Sequence, residues 1–253
     1  MTPVFLINLD RSPDRYAFSA KQLGEYSIAF QRIQAVDGVS PLPNKFDNII
    51  ADDFSGYYKK LSNAELGCYL SHKNCWEIIV KQNIEYAIVL EDDFLLTESF
   101  PAVVQQLSNL PIEWDCLKLA EHPAKRHAVF ELPFQQWQLV VYNKVPARTG
   151  AYAISLSGAK KMLAHAEKVA RPVDIDFQYW WEMQLDIFGL KPYPVLIDTN
   201  KESTIDNNGK GRKKAEKSFY KQVRQKLAFT TQNIIKTNQR VRALKQKYPD
   251  GKK

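Results

Sequence analysis

The sequence predicts an α/β sandwich with a mostly parallel sheet, followed by a basic helical tail. Three observations predict it. Short aliphatic runs alternate with segments of helical periodicity through residues 1–200. Three consecutive carboxylates, Glu91-Asp92-Asp93, close one of those runs. The charge also divides the chain: residues 206–253 hold 15 Lys and Arg against 3 Asp and Glu, a net of +12. Residues 1–205 hold 20 against 25, a net of −5. The expected units are a mildly acidic body over 1–205 and a basic tail over 206–253.

The composition, 45% hydrophobic and 12% aromatic in 253 residues, supports a packed core and excludes wholesale disorder. Cys68, Cys75 and Cys116 follow neither a zinc spacing nor a disulfide framework, which points to a reducing compartment. Met1 to Asp10 lacks a basic start and reads as a first strand, not a signal peptide. No run approaches the roughly 18 apolar residues of a spanning helix. The expected location is cytoplasmic, or peripheral on the cytoplasmic face of a membrane.

In chain order, Val4–Asn8 is a strand, and Ser12-Pro13 opens a helix to about Gly24. Ala29–Ile33 is a second strand ending near the Asp37-Gly38 turn, and residues 39–61 form a long irregular loop. Ser62-Asn-Ala-Glu65 has the capping-box form and starts a helix to Val80. Strand 86–90 leads into the carboxylates. A helix follows over 100–110, then strands over 114–119, 139–142 and 151–154, and a helix from Ser157 to about Val169. Arg171 to Asp176 is a break, residues 177–188 a helix, and residues 193–197 a last strand. The tail repeats Phe219, Val223, Leu227, Ile234, Val241, Leu244 and Tyr248 at helical spacing between basic residues, which predicts one or two basic amphipathic helices over 215–248.

Three adjacent carboxylates at a strand end repel one another unless a cation or a set of donors stands between them. Strand carboxyl ends are where open α/β sheets bind ligands, and hard cations such as Mg²⁺ or Mn²⁺ take oxygen ligands, often shared with substrate phosphates. The triplet thus points to a metal-bound phosphate compound, with capping of the next helix as the plainer alternative.

Phe5-Leu-Ile-Asn-Leu-Asp-Arg-Ser-Pro-Asp-Arg15 and Phe30-Gln-Arg-Ile-Gln-Ala-Val-Asp-Gly38 resemble the start of glycosyltransferase family 25. Leu61 to His72, Ile88 to Asp93, Thr149 to Ser155 and Pro172-Val-Asp174 are similar to its later blocks, in order and spacing over about 2–205. The family contains bacterial lipooligosaccharide galactosyl- and glucosyltransferases and collagen hydroxylysine galactosyltransferases; the chain looks like the bacterial type. The resemblance implies a GT-A-like fold, a divalent cation (Mn²⁺ or Mg²⁺), a UDP-hexose donor with galactose favoured over glucose, a lipooligosaccharide core acceptor, and inversion at the anomeric carbon.

On that reading Asp93 and Asp92 are the metal candidates, with Glu91 reaching metal or ribose. Inversion needs one base on the acceptor side, for which Asp174 and Asp176 are the candidates; helix capping is their alternative role. Asp37 accepts from uracil or ribose, or simply forms its turn. Arg15 pairs with phosphate or faces solvent, and His72 is a donor-site residue or a structural one. Thr149 and Gly150 bring backbone near the sugar, or form a strand-entry turn. Many GT-A enzymes take a late histidine as a further metal ligand, but none follows His165 here, so Asp198, Glu202 or Ser203 would have to replace it. The tail suits an anionic membrane surface or packing on the body, and nucleic acid least. Two other classes remain: a non-catalytic membrane- or nucleic-acid-binding protein, and a metal-dependent phosphohydrolase.

Overall fold

The computed structural model describes residues 2–39, 57–120, 126–198 and 219–252. Strands β1 (Val4–Asn8), β2 (Gln31–Gln34), β3 (Tyr86–Glu91), β5 (Cys116–Lys118), β6 (Ala128–Phe134), β7 (Trp137–Tyr142), β8 (Ala151–Ser155) and β9 (Ile187–Lys191) form one sheet in the order 2-1-3-8-5-9-7-6. β4 (Phe94–Leu96) and β10 (Val195–Ile197) make a separate antiparallel pair. The helices are α1 (Pro13–Glu25), α2 (Asn63–Lys81), α3 (Phe100–Gln106), α4 (Leu156–His165), α5 (Val173–Gln178) and α6 (Phe219–Lys247).

Alternation along the strands builds the three layers. In β1, Val4 and Leu6 pack with Leu23 of α1 and with Phe100 and Val103 of α3. Phe5 and Ile7 point to the other face, with Tyr69, Trp76 and Ile79 of α2 and Met162 of α4. The α/β sandwich is as expected from the sequence, and its sheet is mixed. Parallel pairs join β1 to β2, β1 to β3 and β5 to β9, whereas β8 runs antiparallel between β3 and β5. The β6–β7 hairpin adds a further antiparallel end, because its short turn permits no crossover.

Local signals account for several helix starts. Ser62 Oγ accepts from the Glu65 N–H at 3.2 Å while Glu65 Oε2 accepts from the Ser62 N–H at 2.9 Å, closing the capping box. Pro13 opens α1, but the Ser12 side chain makes no cap bond. One segment departs from expectation. Residues 177–188 are not a helix: α5 begins earlier, after Pro172, and residues 187–191 form β9 inside the sheet. The apolar residues of this stretch fit either period, and pairing with β5 and β7 decides for the strand. Gly189 permits it, since a Cβ there would overlap the Tyr142 ring. Residues 40–56, most of the expected irregular loop, lie outside the described residues, as do Glu202, Ser203 and the expected boundary at 205/206.

The tail forms one helix that packs on the body from Phe229 onward. Phe229, Asn233 and Thr237 are buried, and Val241, Leu244 and Tyr248 join the core on the α1–α3 face. Asn233 Nδ2 donates to the Asn143 carbonyl at 2.6 Å, and Phe229 stacks near Tyr179 and Trp181. The Arg240 guanidinium lies 4.5 Å from the Phe188 ring and 3.4 Å from Asp186. The first turns are different: Phe219, Tyr220, Val223 and Leu227 are exposed, as is Ile234 on the outer side further along. Among the described residues no helix is long and apolar enough to cross a membrane.

Candidate active site

One edge of the sheet gathers the ends of β1, β2, β3 and β5 with the start of antiparallel β8. Each contributes a polar group where its apolar run stops: Asn8, Gln34, Glu91, Lys118 and the turn before Ala151. α2 closes over this edge because Gly67 lets it approach; a Cβ there would stand 2.5 Å from the Val36 carbonyl oxygen. Ser71, one turn on, accepts from the Val36 N–H at 2.8 Å. The result is a cavity of about 130 Å³ lined by residues of β1, α1, the 35–39 turn, α2 and the carboxylate triplet.

Glu91 is held from two sides. Thr149 Oγ1 donates to Glu91 Oε1 at 2.5 Å, and His72 Nε2 lies 3.1 Å from the same oxygen. A chain of donors fixes this histidine. Trp76 Nε1 only donates, and it reaches the Tyr152 hydroxyl at 3.0 Å. That hydroxyl therefore has its own proton to give to His72 Nδ1, 3.0 Å away, which leaves the ring proton on Nε2, aimed at the carboxylate. Burial pushes the Glu91 carboxyl upward, but His72, Thr149 and Lys118 together hold it below its ordinary value. His72 thus lines the cavity wall as a buried support for Glu91.

Asp92 and Asp93 differ. Asp92 Oδ2 accepts from Asn8 Nδ2 at 2.6 Å, and Arg15 Nε stands 3.2 Å from Oδ1. Arg15 therefore pairs with Asp92 and also lines the cavity, rather than facing solvent alone. Asp93 has no such support: its Oδ1 is buried without a hydrogen-bond partner. Burial and the neighbouring Glu91 push its carboxyl up to about 6. Asp198, at the end of β10, donates its N–H to the Asp93 carbonyl at 2.9 Å and so stands beside the triplet. A hard divalent cation fits this set, since it takes oxygen ligands and would satisfy the orphaned Asp93 atom. At the far side of the cavity Asp37 accepts from Arg11 Nε at 2.7 Å and from the Val39 N–H at 2.9 Å. Burial acts upward on it, and these two donors hold its carboxyl below the usual range.

The two candidate bases separate. Asp174 does not line the cavity but stands near the triplet: burial pushes its carboxyl up, its Oδ2 accepts from the Arg148 N–H at 3.4 Å, and its charge reaches Cys68 together with those of Glu91 and Asp93. Asp176 does not join it. It is 1% exposed and its Oδ1 accepts from Arg171 Nε at 2.7 Å, so its expected role as a base is corrected to a structural ion pair. Thr149 reaches Glu91, and Gly150 lies against Ile197 and Asp93, where a Cβ would stand 2.7 Å from Ile197 Cδ1.

Sequence reasoning missed Asn8 and Lys118. Asn8 carries the same signal as the triplet, a polar residue closing a buried strand. Lys118 is a charge inside the apolar run Cys116–Leu119, and it is 1% exposed. Cys68, His72 and Glu91 offer a sulfur, a nitrogen and an oxygen within 4.8 Å of one another.

The glycosyltransferase family 25 model, described as an LPS biosynthesis protein, matches residues 1–177. Procollagen galactosyltransferase 1 of Danio rerio is 30% identical over 192 residues, 68% of this chain and 30% of that protein. Procollagen galactosyltransferase 1-B of Xenopus laevis is 32% identical over 186 residues, again 68% and 30%. Inactive glycosyltransferase 25 family member 3 of Mus musculus is 28% identical over 222 residues, 75% of this chain and 36% of that protein. The chain spans about a third of the length of these relatives. With the family's model covering the strand ends, the α2 wall and the carboxylate triplet alike, the chain belongs to glycosyltransferase family 25.

Proposed function

We propose that the protein transfers a hexose from a UDP-sugar to a lipooligosaccharide core acceptor, with inversion and with Mn²⁺ or Mg²⁺. Galactose is the favoured sugar, supported by the galactosyltransferase names of two relatives, and glucose the second. The family's LPS description supports the acceptor class. The observation that carries the reading is Asp93, a half-buried carboxylate whose Oδ1 is buried and unpartnered, at a strand end that opens on a cavity. Asp93 would hold the cation, with Asp92 and Asp198 beside it. Bound there, the cation supplies charge neutralisation for the departing diphosphate.

The chain's own residues supply the rest. Asp37 stands across the cavity as an acceptor for ribose or uracil. Asp174 takes the proton of the acceptor hydroxyl as that oxygen bonds to the anomeric carbon and the carbon–diphosphate bond breaks. Burial raises its pKa, which makes it a stronger base than an exposed carboxylate. Thr149 and His72 keep Glu91 ionised and oriented. Incubation with UDP-galactose or UDP-glucose, Mn²⁺ and a core acceptor should release UDP only when metal and acceptor are both present. No release from either donor overturns the reading, and phosphate release without acceptor makes the protein a phosphohydrolase.

The exposed Phe219, Tyr220, Val223 and Leu227, beside Lys221 and Arg224, support peripheral attachment to the anionic cytoplasmic face of the inner membrane. Co-sedimentation with anionic but not neutral vesicles tests this. Because some relatives are named inactive, a non-catalytic membrane-binding protein is the second reading. It predicts that Asp93→Ala leaves function intact while loss of residues 206–253 removes it.

A further inference from the structure

We infer that Lys118 is a positioning residue: its buried ammonium holds the Arg148–Gly150 turn, and that turn sets Glu91 and Asp174 relative to each other. The inference rests on the transferase reading above. Lys118 ends β5 with 1% of its surface exposed, its Nζ donates to the Arg148 carbonyl, and it stands 5.6 Å over the Phe177 ring. A buried charge is retained at a cost unless it is paired and hydrogen-bonded. Here the opposing charges are Glu91 of β3 and Asp174 of α5, both of which feel this lysine.

The turn itself needs holding. Arg148 sits at φ 73°, a left-handed conformation that a residue with a side chain keeps only where its surroundings impose it. Three sets of contacts do so. Lys118 takes the Arg148 carbonyl, and Asp174 Oδ2 takes the Arg148 N–H at 3.4 Å. Beyond it Thr149 Oγ1 donates to Glu91 at 2.5 Å, and the Gly150 carbonyl accepts from the Glu91 N–H at 2.8 Å. One strained residue therefore touches the candidate base, and the next two touch the carboxylate on the metal side. Among these contacts the Lys118 bond is the one that holds the Arg148 carbonyl itself. Releasing it lets Arg148 relax, and Asp174 and Glu91 lose their common reference.

Lys118→Met keeps length and removes the ammonium. The expected result is a lowered melting temperature with a cooperative melt retained, a donor KM within about threefold, and a kcat per folded molecule lowered roughly 100-fold. The strain argument adds a second reading of the same loss. Arg148→Gly reaches the left-handed conformation without penalty, so in that background Lys118→Met should cost about tenfold less. Lys118→Gln retains a donor and serves the same comparison if the methionine variant fails to fold. A Lys118→Met enzyme with kcat within threefold of wild type overturns the inference, as does an equal loss in both backgrounds, which would make Lys118 a charge balance only. If wild type itself releases no UDP, the transferase reading fails first; an active wild type with an active Lys118→Met variant fails this inference alone.

Discussion

Among the described residues, acidic groups gather around the buried Asp176 and around the triplet Glu91-Asp92-Asp93, and the first of these clusters is closed while the second is not. Around Asp176, every opposing charge comes from the chain. Arg171 donates Nε to Asp176 at 2.7 Å and Nη2 to Glu182 at 2.5 Å, its guanidinium lies 4.0 Å over the Tyr179 ring, and His165 stands 3.4 Å from the same Asp176 oxygen. Around Glu91-Asp92-Asp93 the balance is incomplete. Glu91 and Asp92 have their partners, and Asp93 keeps an oxygen buried and unmatched. Two clusters of similar composition thus do different work: the complete one fixes α5 to its surroundings, and the incomplete one is left open to a ligand.

The sharpest break of this contrast is Asp93→Ala. Turnover should fall by roughly 1,000-fold or more, with the melting temperature held or raised, because a repelling charge has gone. Steady-state UDP release and a thermal melt together check it; full activity would take Asp93 out of the site. The opposite pattern is expected of Arg171→Ala. Leaving Asp176 buried without its cation should cost about 3–5 kcal/mol of stability by denaturant titration, with kcat per folded molecule little changed.

The pH dependence of stability separates the clusters further. Asp93 titrates near 6 in the folded protein against an ordinary 3.8. The folded state therefore binds its proton more tightly than the unfolded chain does. This group's contribution is fully present below about 3.8 and is lost as pH rises through about 6, a change of about 3 kcal/mol. Comparing wild type with Asp93→Asn between pH 4 and 7 without divalent cation isolates it. Added Mn²⁺ should bind more weakly below pH 6, where the proton competes. The smallest effect belongs to the outer face of α6: Leu227→Asp should leave stability within about 0.5 kcal/mol and abolish any binding to anionic vesicles.

Much of the positioning frame is legible because its signals are local. The capping box at Ser62, Pro13 at the first position of α1 and the apolar run closing on Glu91 each lie within a few residues. The carboxylates at the strand end could be singled out for the same reason. What could not be read depends on pairings across the sheet. Residues 187–191 become a strand through β5 and β7, which approach them from elsewhere in the sequence. Asp174 and Asp176 look equivalent in sequence, but two residues on a helix point about 200° apart. One consequently faces the Arg148 turn and the other Arg171. Lys118 was hidden in an apolar run, since nothing local indicates that a buried lysine will meet a carbonyl thirty residues later.

The end of α6 bears on how the protein behaves in concentrated solution. β6 is the last strand of the sheet, and Lys252 pairs with it: the Glu131 N–H donates to the Lys252 carbonyl at 3.0 Å, and the Lys252 N–H to the Glu131 carbonyl at 2.9 Å. Gly251 sits so close to Phe130 that a Cβ would collide with its ring. These few residues cover part of a sheet margin that would otherwise offer unpaired backbone groups to another molecule. Shortening the chain after Tyr248 should therefore show itself as self-association, growing with protein concentration.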